Sequence, residues 1–448
     1  MKSAFFIFSL LLFFITDSFS QNGFRFYGKN KNTERVKFKL INNLIIIPLE
    51  INGKELSFIL DTGVNKTILF SLYENDSVGL NNIKQIKLNG LGTGEPVDAL
   101  ISENNRLRIN DLISNNEPIY VILNNQFDLS SKMGITIHGI IGYTLLENVI
   151  AKINYRAKKI DFYNPETYQY SKCRKCDEFP IKFYRDKPFI DLQVQLDTLG
   201  NEKTNVKMLI DSGGSEAIWL FENSQENIKT PKRFFRDILG EGLSGTIYGN
   251  RSRIPAVKFG RHTIKSPTVS FLDSLSTLNA RNFKQRNGSL GGNILKRFKI
   301  WIDYPNKKLT IRKNSSLRGG FNYNMSGLDV VYNGQQLIKE SVRTFSEDSY
   351  TTYNKETNQS NTISLVEKYQ YIFKNSYKIN YVLKDSPADL AGLLKGDVIL
   401  KLNRKHAYDY KMSDITEIFQ SYDNKKITMT IMRNGQEIKF QFRLKKRI

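Results

Sequence analysis

The chain has 448 residues, enough for two or three domains at roughly 100–200 residues each. Hydrophobic residues make up 40% and charged residues 25%, a globular composition that excludes a disordered or fibrous chain. Lys and Arg outnumber Asp and Glu by 66 to 44, and the net charge of +22 favours anionic surfaces or acidic partners. Beyond the N-terminus no run approaches the roughly 20 apolar residues of a spanning helix, which excludes a polytopic membrane protein.

The N-terminus has the pattern of a secretory signal peptide. Lys2 precedes a short apolar run, and small residues stand at Ser18 and Ser20. The sequence therefore predicts a signal peptide over residues 1–20, cleaved near Ser20 and Gln21. The mature protein is expected to be periplasmic or secreted, with no transmembrane segment after cleavage. A single N-terminal anchor helix is the alternative.

The chain repeats itself at an offset of 149 or 150 residues. An apolar run ending in Asp61-Thr62-Gly63 reappears as one ending in Asp211-Ser212-Gly213, and three further blocks keep the offset. Short alternating runs broken by Gly, Asn and Pro fill both halves and are typical of β-strands. The sequence therefore predicts two similar β-rich lobes, over residues 30–170 and 178–315.

A connector over residues 171–177 contains the two cysteines, Cys173 and Cys176. Such a C-x-x-C pair can be a redox motif or half of a zinc site. The three histidines lie far apart in the sequence, however, and no thioredoxin-like pattern surrounds the pair. In an oxidising compartment we expect a small disulfide-closed turn, with redox chemistry as the alternative.

The C-terminal third is predicted to be a separate small domain over residues 319–448. Residues 341–361 are dense in Ser, Thr, Asn and Glu and predict a polar insertion. Farther along, Ser386 and the following proline predict the start of a short helix that ends at Gly392. An Asn-Gly pair between two alternating runs predicts a closing hairpin.

The repeated motif carries the chemistry. Each copy places an Asp after an apolar strand, followed by a small hydroxyl residue and Gly. One copy is a weak signal, but two at equivalent positions of duplicated lobes are a much stronger one, because two-fold symmetry would bring Asp61 and Asp211 together between the lobes. Two carboxylates in contact share a proton, so one can activate a water while the other protonates a carbonyl.

With this motif, residues 30–315 resemble the aspartic proteases, specifically the retropepsin-like group with both lobes fused in one chain. The resemblance implies a mainly β fold of two duplicated β-barrel lobes, with Asp61 and Asp211 as the catalytic dyad. It implies a water as the nucleophile, a polypeptide substrate, and neither metal nor organic cofactor. The residues that it implies as support for the dyad, with the two hydroxyls hydrogen-bonded across the lobe interface, are Thr62, Gly63, Ser212 and Gly213.

The aspartic proteases also close Gly-rich hairpin flaps over the substrate. Two Gly-rich stretches lie at the 150-residue offset, and flexible β-turns are the alternative interpretation. The resemblance implies these flap residues: Gly90, Gly92, Gly94, Gly240 and Gly242.

Val64 and Gly214 depart from the pepsin-like pattern, in which Ser or Thr follows each Asp-Thr-Gly. Without that hydroxyl donor the ionised carboxylate is less stabilised, so its pKa rises. We therefore expect activity to persist at less acid pH than in pepsin-like enzymes.

The C-terminal domain resembles the PDZ domains of exported bacterial proteases, a small α+β, sandwich-like fold. The resemblance rests on Ser386–Gly392 and on Gly396-Asp397 before the next strand. Such domains add an extended peptide as a strand and hold its terminal carboxylate in backbone N–H groups. We expect that carboxylate loop at Tyr332–Gln335 and a C-terminal peptide as the ligand. A domain that only packs on the protease is the alternative.

Together these features predict an exported, monomeric aspartic endopeptidase whose PDZ domain binds peptide or regulates access. A catalytically silent peptide-binding envelope protein that retains both folds is the alternative. A glycan-binding β-rich protein would require the duplicated motif to be accidental. Basic residues are spread along the chain without an aromatic-interleaved cluster, so no specific nucleic-acid partner is expected.

Overall fold

The computed structural model describes residues 23–28, 31–70, 77–88, 96–122, 128–197, 200, 202–242, 245–345 and 365–448. The predicted signal peptide lies outside these ranges. Within them, none of the helices is long and apolar enough to cross a membrane. The fold is mainly β, as predicted.

The first half of the chain folds into strands because its apolar residues alternate with polar ones or run together where both faces are covered. Its elements are β1 (Arg25–Phe26), β2 (Thr33–Lys37), β3 (Lys39–Ile41), β4 (Leu44–Ile51), β5 (Lys54–Leu60), β6 (Thr67–Leu69), β7 (Lys84–Leu88), β8 (Val97–Ile109), β9 (Leu112–Ile122), β10 (Gly139–Ile141), β11 (Ile150–Asn154), β12 (Lys159–Tyr163) and the helices α1 (Leu129–Met133) and α2 (Tyr143–Leu146). The sheet of the first lobe has the order β1-β9-β6-β10-β5-β4-β8-β7, with β3 on β4.

The second half repeats this plan. Its elements are β13 (Cys176–Pro180), β14 (Lys182–Tyr184), β15 (Lys187–Gln195), β16 (Thr204–Asp211), β17 (Ile218–Phe221), β18 (Phe235–Gly242), β19 (Gly245–Arg253), β20 (Ala256–Phe259), β21 (His262–Lys265), β22 (Thr268–Leu272), β23 (Arg286–Gly291), β24 (Phe298–Asp303), β25 (Lys308–Lys313), the helix α3 (Gly292–Leu295) and the 3-10 turns Asn279–Asn282 and Ser315–Arg318. The sheet of the second lobe has the order β18-β19-β22-β17-β23-β16-β15-β20-β21, with β14 on β15.

Strand register shows the duplication directly. In the first lobe β10 lies between β5 and β6, and Gly139 pairs with Phe58 of the parallel strand β5. In the second lobe β23 lies between β16 and β17, and Gly288 pairs with Met208. Both residues of each pair are displaced by the offset found in the sequence. The prediction of two duplicated β lobes is therefore confirmed.

A further sheet joins the lobes, in the order β13-β25-β24-β11-β12-β2. Its central pairing is antiparallel, between β11 of the first lobe and β24 of the second. One continuous apolar cluster extends through both lobes. At the start of β13, Cys173 and Cys176 form the disulfide that was predicted for the connector. Described residues up to Asp128 and Thr136–Phe321 thus form one compact unit.

A second compact unit contains Asn322–Arg447 and the segment Leu129–Ile135. Within it, α1 lies against β26 and α5. Its other elements are β26 (Leu328–Phe345), β27 (Leu365–Val382), the helix α4 (Pro387–Leu390), β28 (Val398–Leu402), β29 (Lys405–His406), the 3-10 turn Ala407–Asp409, the helix α5 (Met412–Phe419), β30 (Lys426–Arg433) and β31 (Gln436–Arg443). Its sheet has the order β26-β27-β28-β30-β31, with β29 on β28.

The helix predicted between Ser386 and Gly392 is confirmed. The Ser386 hydroxyl accepts a hydrogen bond from the amide of Asp389 and so caps α4, while Pro387 occupies the first turn. Gly392 follows with a φ of +90°, the left-handed conformation that ends helices.

Two expectations for the C-terminal unit are wrong. Residues 341–345, expected in the polar insertion, belong to β26, because β27 supplies a partner for each of them up to the pair Phe345 and Leu365. The rest of that insertion lies outside the described residues. Tyr332–Gln335 is a bulged part of β26 rather than a loop before it, since Gly334 takes a φ of +75° inside the strand.

Candidate active site

The duplicated motif brings its two carboxyl groups together. Asp61 follows β5 and Asp211 ends β16, and the strands β10 and β23 hold these two ends in place. The two carboxyl groups act on each other, since the charge of Asp211 raises the pKa of Asp61. A Cβ placed at Gly63 would lie 3.1 Å from Oδ1 of Asp61 and 3.2 Å from Oδ1 of Asp211.

The hydroxyl residues lock the two loops across the lobe interface, as the resemblance implied. Thr62 Oγ1 donates to the Ile210 carbonyl at 2.7 Å and accepts from the Ser212 amide at 3.0 Å. Reciprocally, Ser212 Oγ donates to the Leu60 carbonyl at 2.7 Å and accepts from the Thr62 amide at 3.0 Å. Both side chains are fully buried, so each lobe satisfies polar groups of the other.

The glycines of the motif let a carboxyl group come close to their backbone, and their amides donate hydrogen bonds to it. The Gly63 amide donates to Asp61 Oδ1 at 2.7 Å, and the Gly213 amide also donates to Asp61. At Gly213 a Cβ would lie 2.1 Å from Cγ of Asp61, so only glycine fits there. The Gly214 amide donates to Asp211, where pepsin-like proteases offer a side-chain hydroxyl.

Burial and mutual repulsion make the two carboxyls hard to ionise together. Desolvation, followed by the charge of Asp211, raises the pKa of Asp61 to about 7. Desolvation also raises the pKa of Asp211, against the opposing charges of Arg286 and Lys187. The arrangement can therefore hold one proton between two oxygens, which suits simultaneous acid and base catalysis.

Two family models match the chain. Residues 47–145, which run from β4 to α2 and include Asp61, match the aspartyl protease family. Residues 378–433, from the end of β27 to β30, match the PDZ domain family. The chain carries a retropepsin-like aspartyl protease domain and a PDZ domain. A search of curated proteins returned no match. The resemblance predicted from the sequence is thereby confirmed.

Within the protease domain, two cations lie near the dyad that were not singled out from the sequence. Lys187 begins β15 and Arg286 begins β23. Arg286 is buried, donates to Ser289 Oγ at 2.7 Å and lies over the Phe221 ring. Burial lowers the pKa of Arg286 to about 10 and also lowers the pKa of Lys187.

A comparison of equivalent positions in the two lobes could have singled out these two cations from the sequence. By strand register, their counterparts in the first lobe are the apolar residues Leu44 and Ile137. A charge that replaces a buried apolar residue in one copy of a repeat indicates a role outside the core.

Two tight turns of the protease domain add a second set of contacts across the lobes. Asn43, in the turn before β4, donates from Nδ2 to the carbonyl of Ser215 at 2.8 Å. Asn65 donates from Nδ2 to the carbonyl of Arg185, in the turn before β15, at 3.2 Å. The loop that follows each Asp of the repeated motif is therefore held by a turn of the opposite lobe.

The predicted flaps fall on hairpins. In the first lobe β7 pairs with β8, and the implied residues Gly90, Gly92 and Gly94 lie between them, outside the described residues. In the second lobe β18 pairs with β19, and both Gly240 and Gly242 lie near the end of β18. In the part of the chain that the structure describes, no cluster of three or more His, Cys, Asp or Glu is placed to hold a metal ion.

Proposed function

We propose that this protein is an exported aspartic endopeptidase in which Asp61 and Asp211 form the catalytic dyad. The observation that supports this most directly is the pair of adjacent carboxyl groups at the junction of two duplicated loops. The aspartyl protease family model matches the first lobe, which contains Asp61, and supports a protease-type function. The disulfide near β13 fits the oxidising compartment to which a signal peptide would direct the chain.

The two carboxyls take different roles. The charge of Arg286 opposes the rise in the pKa of Asp211, whereas the charge of Lys187 lowers the pKa of both carboxyls. Desolvation and the charge of Asp211 raise the pKa of Asp61 to about 7. Asp211 is therefore the ionised partner that acts as general base, and Asp61 carries the proton and acts as general acid.

In the first step, a water bound between the carboxyls gives a proton to Asp211 as its oxygen attacks the carbonyl carbon of the peptide. Asp61 gives its proton to the carbonyl oxygen, which forms a tetrahedral diol. In the second step the C–N bond breaks, Asp211 returns its proton to the leaving nitrogen, and a diol hydroxyl returns a proton to Asp61. The dyad ends in the state in which it began.

For the PDZ domain we propose peptide binding at the edge of β26. This strand lies at one edge of its sheet, and extended peptides add to such edges through backbone hydrogen bonds. Because β26 begins at Leu328, a carboxylate loop would have to precede that residue rather than lie at Tyr332–Gln335. The segment Leu129–Ile135 lies against β26 and α5 in the same unit, so a peptide must either displace it or add farther along the strand.

Peptide-library cleavage from pH 3 to 8 tests the proposal. The mature chain would be compared with Asp61→Asn and Asp211→Asn, with and without pepstatin. Asp197→Asn, at an exposed aspartate of the second lobe, is the matched control. We expect cleavage by the wild type and the control and its loss in both dyad variants. A folded wild-type protein that binds peptides at every pH but cleaves none would favour the catalytically silent alternative.

A further inference from the structure

Three charged side chains form a network in the second lobe, in which Arg251 is buried and Glu216 and Asp237 are half-buried. Arg251, only 7% exposed, donates from Nη1 to Glu216 Oε2 at 2.5 Å and from Nη2 to Glu216 Oε1 at 3.0 Å. Its Nε donates to Asp237 Oδ2 at 2.7 Å. The guanidinium therefore engages Glu216 with both terminal nitrogens and Asp237 with the third, a geometry that fixes the positions of all three groups.

The three residues lie on three different elements of the second lobe. Glu216 lies in the loop that follows Asp211, and its backbone carbonyl accepts from the amide of Asn293 in α3. Asp237 lies on β18 and Arg251 on β19, the two strands of the second flap hairpin. One arginine thus links both strands of that hairpin to the catalytic loop.

The fold does not need this network, because the first lobe builds the corresponding hairpin without it. At the 150-residue offset from Glu216, Asp237 and Arg251, the first lobe has Lys66, Lys87 and Ile101, which cannot reproduce these ion pairs. Lys66 instead lies 3.9 Å over the ring of Tyr120.

Holding these charges largely away from water is costly, although the Glu216 and Asp237 side chains keep 20% and 22% of their surface exposed. The desolvation cost is large unless the partners are well placed, and apolar replacements are often as stable. Burial also raises the pKa of Asp237, although Arg251 opposes the rise. A network that is not required by the fold, in one lobe only, points to a task other than stability.

We propose that Arg251 is a positioning residue that ties the second flap hairpin to the loop carrying Asp211. This inference rests on the proposed peptidase function, because the flap matters to catalysis only if it covers a substrate. Arg251 does not contact the dyad; it acts through Glu216 and Asp237. With the tie in place, the flap hairpin would hold the bound peptide in a defined position relative to the carboxyl pair.

The test uses the full mature chain and a neutral version of the network. Arg251→Met alone leaves two half-buried carboxylates without the arginine and is expected to destabilise the lobe. The triple variant Glu216→Gln, Asp237→Asn, Arg251→Met removes both the charges and the tie, and thermal unfolding would check that it folds as stably as the wild type. Arg251→Lys keeps the charge but lacks the planar fork, so it should be intermediate.

Two readouts are needed on these variants. Hydrogen exchange of residues 235–242 and 245–253 measures the tie without any need for activity. We expect faster exchange there in the triple variant, with exchange in the first lobe unchanged. Steady-state kinetics should show kcat/KM lower by roughly 10- to 100-fold, with the pH limbs of the profile unmoved.

Each outcome decides something different. Unchanged exchange in the triple variant would overturn the tie, whether or not the wild type cleaves peptides. Faster exchange with wild-type kcat/KM would overturn its catalytic role, and shifted pH limbs would show that the network acts on dyad charge instead. An inactive wild type would count against the peptidase proposal, while the exchange comparison would still decide whether the tie exists.

Discussion

The two lobes share a backbone plan but differ in the charges that surround the dyad. Thr62 and Ser212 make the same pair of hydrogen bonds in opposite directions, so the backbone near the axis is symmetric. Lys187 and Arg286 of the second lobe, however, stand where the first lobe has apolar residues. Duplication thus explains how two carboxyls meet, and divergence explains how they come to differ.

The largest expected loss of activity and stability comes from substitution of a motif glycine, and it should differ between the two lobes. Gly213→Ala should abolish cleavage and lower the melting temperature, because its Cβ would lie 2.1 Å from Cγ of Asp61. Gly63→Ala should be milder, since its nearest contact would be 3.1 Å. Thermal unfolding and peptide cleavage would measure both. Gly240→Ala, with nothing within 4 Å of its Cβ, is the stability control. Equal losses at Gly63 and Gly213 would contradict this ranking.

The second effect should be the same in both lobes. Thr62→Ala and Ser212→Ala each leave a buried amide and a buried carbonyl of the opposite lobe without a partner. We expect each to lower the free energy of unfolding by about 1–3 kcal/mol, measured by urea titration. Thr62→Ser keeps the hydroxyl and should recover most of the loss. A loss confined to one lobe would argue against a symmetric lock.

The third prediction addresses the asymmetry of charge. The charge of Lys187 lowers the pKa of both dyad carboxyls. Lys187→Met should therefore raise both pKa values and move both limbs of the pH profile of kcat/KM to higher pH. Lys182→Met, at an exposed lysine of the same lobe, is the control and should leave the profile in place. A profile that moves to lower pH in Lys187→Met would refute the assignment.

The smallest expected effect is on stability against pH. Burial, then the charge of Glu117, raises the pKa of Glu147 to about 7. A carboxyl with a raised pKa in the folded state stabilises the protein below its unfolded pKa of about 4 and loses this contribution as pH rises through about 7. Glu147→Gln should therefore raise the melting temperature by a few degrees at pH 8 but not at pH 4. A gain of equal size at both pH values would exclude ionisation as the cause.

The repeated motif made the centre of the site predictable. Because Asp61 and Asp211 keep one offset along with several other blocks, the sequence predicts both the duplicated lobes and the meeting of the two loops. The disulfide was predictable for a simpler reason, since Cys173 has only one candidate partner in the chain. The catalytic role of the dyad stays a prediction.

The surroundings of the site could not be predicted, because they depend on which strands become neighbours. Arg251 reaches Glu216 across 35 positions only once β19 has folded back over the catalytic loop. Polar composition is a poor guide near residue 341, where the pairing of β26 with β27 outweighs poor strand propensity. Gly334, which forms a bulge inside β26, gave that part of the strand the sequence pattern of a loop, so the strand was expected to begin later than it does.

The pH dependence of kcat/KM for the wild-type protein, from pH 3 to 9 on one cleaved peptide, tests the inequivalent dyad most directly. We predict a bell-shaped profile whose alkaline limb lies near pH 7, where Asp61 loses the proton that it must donate. Activity confined to strongly acid pH would contradict that assignment. Such a result would mean that neither the cations of the second lobe nor the missing hydroxyl donors set the working range of the site.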